Sequence, residues 1–330
     1  MFSFDRRDFG SDFTFGVATA AYQIEGGQGD GRGSSIWDTF AATPGNVHNG
    51  DTGRDACNHY ELWPQDLDLI RDGGFDAYRF SFAWPRLIPE GTGAVNQAGI
   101  DFYDRLIDGM LERGIKPYAT LYHWDLPSTL QDRGGWMNRD IANWFADYAT
   151  LVAQKFGDRL EATATINEPW CICHLSHLYG IHAPGERSME AFAAAVHTLN
   201  LAHGLGVQAA RAARADLPMG LVLNAHSVYP ATGTPEDAAA AERAFQFHNG
   251  IFFGPCFTGS YPDEVLEALG ERMDIRGGDL ETINQPLDWW GLNYYTPMRV
   301  ISAADADYPR AETVPPTPGP ELTDIGWEVY

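Results

Sequence analysis

Asn167 and Glu168 stand side by side at the end of Ala162-Thr163-Ala164-Thr165-Ile166, and Pro169-Trp170 follows. An amide can hold a hydroxyl while a neighbouring carboxyl moves a proton. Other chemistry-bearing side chains stand at or near the ends of further apolar runs: Gln23, Arg79, His123, Trp124, Asn293 and Tyr295. One acid among amides, an imidazole, a guanidinium and an indole suits a ligand rich in hydroxyls. Each hydroxyl both donates and accepts, and an aromatic face can cover the apolar side of a ring. A metal would want clustered imidazoles and carboxylates, and these positions offer one of each. Cys171, Cys173, His174 and His177, with His182 beyond, cluster more tightly, but their spacing matches no usual zinc pattern. That segment reads as a helix whose Cys and His pack as small polar core residues. No Gly-x-Ser-x-Gly elbow supports a serine triad. No metal and no cofactor is expected.

Positioning these groups requires strands that end where they stand. Phe13–Ala18, Ala77–Pro85, Lys116–Tyr122, Ala162–Asn167, Met219–Leu223 and Leu287–Tyr295 read as six strands, rich in β-branched and aromatic residues. Between them run helical patterns at Trp63–Arg71, Ala98–Arg113, the segment after Asn138, and Met189–Ala213. Shorter ones follow at Ala238–Phe247 and Pro262–Leu269. Pro64 is read in a first helical turn, where its missing N–H does no harm. Gly27-Gln28-Gly29-Asp30-Gly31-Arg32-Gly33 fails the dinucleotide spacing, because Ser34 or Arg32 falls where a third glycine is needed. It is a loop.

Strand and helix in alternation specify a parallel sheet with helical cover. Without a phosphate loop after the first strand, a barrel of strand-helix units fits better than an open doubly wound sheet. The fold class expected is therefore α/β, a (β/α)8 TIM barrel, with only about the first six units present. Residues 1–330 are expected to form one barrel domain, incomplete at the C-terminus. The formal charge of −23 argues against nucleic acid and anionic membrane partners. No spanning run and no apolar stretch behind Met1 are found, and four scattered cysteines do not make a disulfide framework, so a cytoplasmic location is expected.

Six motifs, in order, resemble the family 1 glycoside hydrolases, the β-glucosidase group. They are Phe15–Gly26, Tyr78-Arg79-Phe80-Ser81, His123-Trp124-Asp125-Leu126-Pro127, Thr165–Trp170, His182-Ala183-Pro184-Gly185 and Gly291-Leu292-Asn293-Tyr294-Tyr295. The resemblance implies a retaining β-glycosidase acting on a β-glucoside or related sugar. It implies Glu168 as general acid/base and Asn167 as ligand of the sugar 2-hydroxyl. Gln23, His123 and Trp124 would hold the sugar, and Trp170 would line the leaving-group side. Asn293 and Tyr295 would bind substrate and, with Arg79, position the nucleophile. Trp37 is read as core or rim.

One departure stands out. The family's nucleophilic glutamate lies in a Glu-Asn-Gly motif, and no Glu-Asn-Gly occurs in this sequence. Glu312, Glu321 and Glu328 fall in or beside a terminal loop around Pro315–Pro320, with no strand to aim them. The nucleophile is thus expected elsewhere, in a missing C-terminal segment or a second chain. Two other readings stand beside this one: a 6-phospho-β-glycosidase, and a non-catalytic sugar-binding or assembly fragment.

Overall fold

Parallel strands cannot be joined by tight turns; each needs a crossover of a dozen residues or more. The computed structural model, which describes residues 5–27, 29–316 and 319–330, meets that need with helices. Its strands are β1 (Gly16–Ala18), β2 (Ala77–Ser81), β3 (Lys116–Tyr122), β4 (Ala162–Asn167) and β5 (Met219–Asn224). After these come β6 (Val228–Pro230), β7 (Trp289–Asn293), β8 (Met298–Ser302) and β9 (Ala311–Val314). The main sheet has the order β1-β2-β3-β4-β5-β7, and every pair in it is parallel. It curls through 225° and does not close, leaving β1 and β7 as edges. This is a partial (β/α) barrel.

The longer helices α1 (His59–Asp72), α2 (Gln97–Glu112), α3 (Ile141–Phe156) and α4 (Met189–Ala213) cover its outside, while α5 (Pro235–Phe245) packs on β6, β8 and β9. On α2 the buried Ile100, Tyr103, Leu106, Ile107 and Met110 recur at three-and-four spacing, which aims one stripe at the sheet. Most of α4 is buried because α3 and the short helix Asp279–Ile283 both pack on it. Its alanine-rich composition suits that crowding, and at Gly204 a Cβ would run into the backbone of Thr282.

Several boundaries differ from expectation. The run Ala77–Pro85 divides into β2 and a short helix, Trp84–Leu87, because Pro85 is placed where a helix starts. Helix α1 begins at His59, so Pro64 stands in its second turn. Beyond the main sheet, β6, β8 and β9 form a small second sheet that the strand-helix pattern did not announce. It corrects the reading of the late glutamates. Glu312 lies on β9, and Glu328 is buried, its carboxylate gripped by Arg299 of β8 at 2.6 and 3.0 Å. Residues 1–4, Gln28 of the glycine-rich segment, and Thr317 and Pro318 of the proline-rich loop lie outside the described residues. Among the described residues no helix is long and apolar enough to cross a membrane.

Candidate active site

Every residue of β4 is buried, so small and β-branched side chains must fill the space between the barrel interior and the helices. At its end the pairing with β5 shifts register between Ala164 and Asn167. Glu168 N–H still reaches Val222 O at 2.8 Å, but the residue adopts φ +49°, a left-handed conformation that costs a non-glycine residue about 1–3 kcal/mol. Cys171 N–H then bonds to Glu168 O at 3.0 Å and opens the π-helical turn Cys171–Leu178. The strand end is bent, and the bend presents the carboxyl.

Around it the hydrogen bonds assign donors and acceptors without ambiguity. Arg79 can only donate, so its Nη2 at 2.6 Å fixes Oδ1 of Asn167 as the near atom. The Asn167 amide nitrogen is thereby turned to His123 Nε2, 3.2 Å away. His123 must accept there, which places its proton on Nδ1. Burial and the Arg79 charge hold His123 down to about 3, in keeping with a neutral ring. Its Nδ1 is buried and has no partner among the described residues. Burial also lowers Arg79 to about 10, opposed by the Glu168 charge. Thr120 Oγ1 takes the Arg79 Nε–H at 2.9 Å.

Glu168 is 6% exposed. Asn293 Nδ2 donates to its Oε1 at 2.5 Å, and Cys171 Sγ lies 3.2 Å from its Oε2. Trp124, at φ +81°, donates its indole N–H to Asn167 O at 2.8 Å. A cavity of about 390 Å³ opens beside these groups, lined by Tyr22, Gln23, Trp37, His123, Trp124 and His182 among others. A larger hollow of about 780 Å³, lined by Arg6, Asp76 and Lys116 among others, lies at the opposite, N-terminal ends of the strands. Its cations are committed: Arg6 to Asp76, Arg7 to Asp5 and Lys116 to Glu161.

The structure thus gathers two hydrogen-bonded groups on consecutive residues: Arg79, His123 and Trp124 on Asn167, and Asn293 on Glu168. Gln23 is exposed and meets them only as a wall of the cavity. Tyr295 is 60% exposed, with its ring 5.6 Å from Trp327. Partial burial and the Glu168 charge nevertheless raise its phenol. Trp170 turns toward histidines: it donates to His248 Nδ1 at 2.8 Å and stacks on His174 with ring centres 4.9 Å apart. Trp37 packs on the core and lines the cavity, 5.3 Å from His182. Cys171, Cys173, His174 and His177 are buried on their helical turn. Among the described residues no three His, Cys, Asp or Glu side chains converge as a metal ion would require.

Two members went unread in the sequence. Thr120, inside β3, holds Arg79, and nothing marks it among the other strand threonines. Cys171 carried a signal, since it follows Glu168 by three residues, the spacing that brings helical side chains to one face.

Compared with known proteins, residues 5–325 match the model of glycosyl hydrolase family 1. The chain belongs to that family. It is accordingly a glycoside hydrolase, in a family of retaining β-glycosidases. The β-glucosidase of an Agrobacterium sp. is 59% identical over 328 residues, covering 98% of this chain and 71% of that protein. The virulence factor SghA of Agrobacterium tumefaciens, 59% identical, superposes with a TM-score of 0.95 over 97% of this chain and 72% of its own. SghA has also been solved with its substrate analog salicin. The family 1 β-glucosidase of Thermotoga maritima, 46% identical, gives 0.92 over 96% and 72%. This family 1 chain therefore spans about seven tenths of the length of these relatives.

Proposed function

We propose that Glu168 is the general acid/base of retaining hydrolysis of terminal β-glycosidic bonds, of the β-glucosidase type. The observation that carries the reading is its placement: a buried carboxyl at the bent end of β4, joined to Asn293 directly and standing next to the Arg79–Asn167–His123 relay. In the first step the carboxyl protonates the leaving oxygen, and in the second it takes a proton from water. Asn167 serves the sugar 2-hydroxyl. The unpartnered Nδ1–H of His123 suits another hydroxyl, since a buried donor without a partner costs about 1–3 kcal/mol. Trp124 and Gln23 face the sugar from the cavity wall, Trp170 borders the leaving group, and Tyr295 with Arg79 serves the attacking carboxylate.

Retention needs a second carboxyl about 5–5.5 Å from the first. We propose that it comes from polypeptide outside these 330 residues, because no Glu-Asn-Gly is present and Glu328 is committed to Arg299. The free edges of β1 and β7 support the same reading, as does the 71% coverage of the Agrobacterium relative. Supplying further strand-helix units in trans should yield hydrolysis of an aryl β-glucoside. Demonstrated binding of that segment with no hydrolysis would sink the proposal. In the completed enzyme Glu168→Gln should lower kcat by about 10²–10⁴-fold while sugar binding persists. The missing Glu-Asn-Gly favours one other reading, a sugar-binding fragment with no turnover. There Glu168→Gln would leave binding unchanged and no preparation would hydrolyse.

A further inference from the structure

An acid/base carboxyl must be protonated in one step and ionised in the next. The two oxygens of Glu168 are served by partners of unequal ability. Asn293 presents its amide nitrogen to Oε1, and an NH2 group only donates. Cys171 presents a thiol to Oε2 at 3.2 Å, and a thiol donates weakly through S–H and accepts weakly through sulfur. Cys171 is buried, and its own N–H is tied to Glu168 O, which keeps the two residues side by side.

We infer that Cys171 is a positioning residue that serves Glu168 in both of its protonation states. Its S–H donates to Oε2 of the carboxylate, then rotates so that sulfur accepts from Oε2 once the carboxyl is protonated. Oε1, held against a group that only donates, remains an acceptor throughout. The travelling proton is thereby assigned to Oε2. A reactive or redox-sensing thiol would need an exposed, electropositive setting. Here burial, with the adjacent Glu168 charge, drives the thiol well above its ordinary range, so it keeps its hydrogen. The inference rests on Glu168 being the acid/base residue.

The S–H stretch in the Raman spectrum reads this contact on the chain as it stands. Subtracting the spectrum of Cys171→Ala isolates the band of Cys171 from those of Cys57, Cys173 and Cys256. Near neutral pH that band should lie at lower frequency in the native chain than in Glu168→Gln, and higher still in Glu168→Ala. Glu168→Gln stands in for the protonated carboxyl, because its amide offers both a donor and an acceptor to the thiol. Identical frequencies in all three proteins would overturn the inference. Cys171→Ser, whose hydroxyl can also donate and accept, should preserve hydrolysis in the completed enzyme several-fold better than Cys171→Ala. Undiminished hydrolysis by Glu168→Gln would instead remove the acid/base reading and leave the band shifts intact, so the two failures are distinguishable.

Discussion

β4 and β7 each end in an asparagine that reaches the Glu168 neighbourhood, yet the two strands are built on opposite terms. β4 is buried at all positions of Ala-Thr-Ala-Thr-Ile-Asn, and Asn167 is fixed by Arg79, His123 and Trp124. β7 alternates half-buried and exposed residues, with Trp290 at 50% and Leu292 at 53% exposure. Among the described residues only β5 pairs with it, through Gly220 to Asn224. Trp290 finds partial cover from Phe253 and Phe257, whose rings lie about 6 Å away. An interior strand receives its order from both neighbours. An edge strand must take its order from one, and so one half of the site is set more firmly than the other.

The widest test of this contrast is a pair of truncations. Ile166→Ala on β4 should cost about 2–5 kcal/mol in urea unfolding, since it empties a fully buried site. Leu292→Ala on β7 should stay within about 0.5 kcal/mol. Equal costs would erase the distinction. A sharper probe is Gly220→Ala, whose Cβ would stand 2.5 Å from the Trp289 ring and 2.7 Å from its carbonyl. Overpacking of this kind costs about 1–3 kcal/mol, and amide exchange in β7 should accelerate well before that in β4.

The smallest effect concerns pH and lies on the firm side. Burial holds His123 and His248 at about 3, and His177, His203 and His226 at about 4. The unfolded chain therefore binds more protons once pH drops below the ordinary histidine value. This stability is fully present above about 6.5, is lost progressively as pH falls from there toward the folded values, and is gone below them. Thermal unfolding should show the melting temperature falling from pH 7 to pH 5. His248→Gln, which can still accept from Trp170, should recover on the order of 1 kcal/mol at pH 5. An unchanged slope in that variant would remove His248 from the account.

What the sequence made legible follows the same divide. β3 and β4 were readable because continuous β-branched and aromatic runs have few alternatives, and their terminal His123, Trp124, Asn167 and Glu168 came with them. The small sheet was not readable. β6, β8 and β9 run only three to five residues each, too short for a periodicity, and their order depends on tertiary contact with α5. Glu328 shows the cost: a glutamate near a chain end reads as solvated, and only the folded position of Arg299 explains its burial. Cys171 was visible as a buried helical residue, but its bond to Glu168 depends on a backbone bend at φ +49° that no propensity foretells.

The indole of Trp124 hangs from the carbonyl of Asn167, the peptide unit that carries straight on into Glu168. A ring that settles on that aromatic plate therefore leans on the same peptide that aims the acid. On the roles proposed for Trp124 and Glu168, recognition and proton delivery share one lever, a single residue long, and a ligand that fits the plate badly would tilt the carboxyl with it.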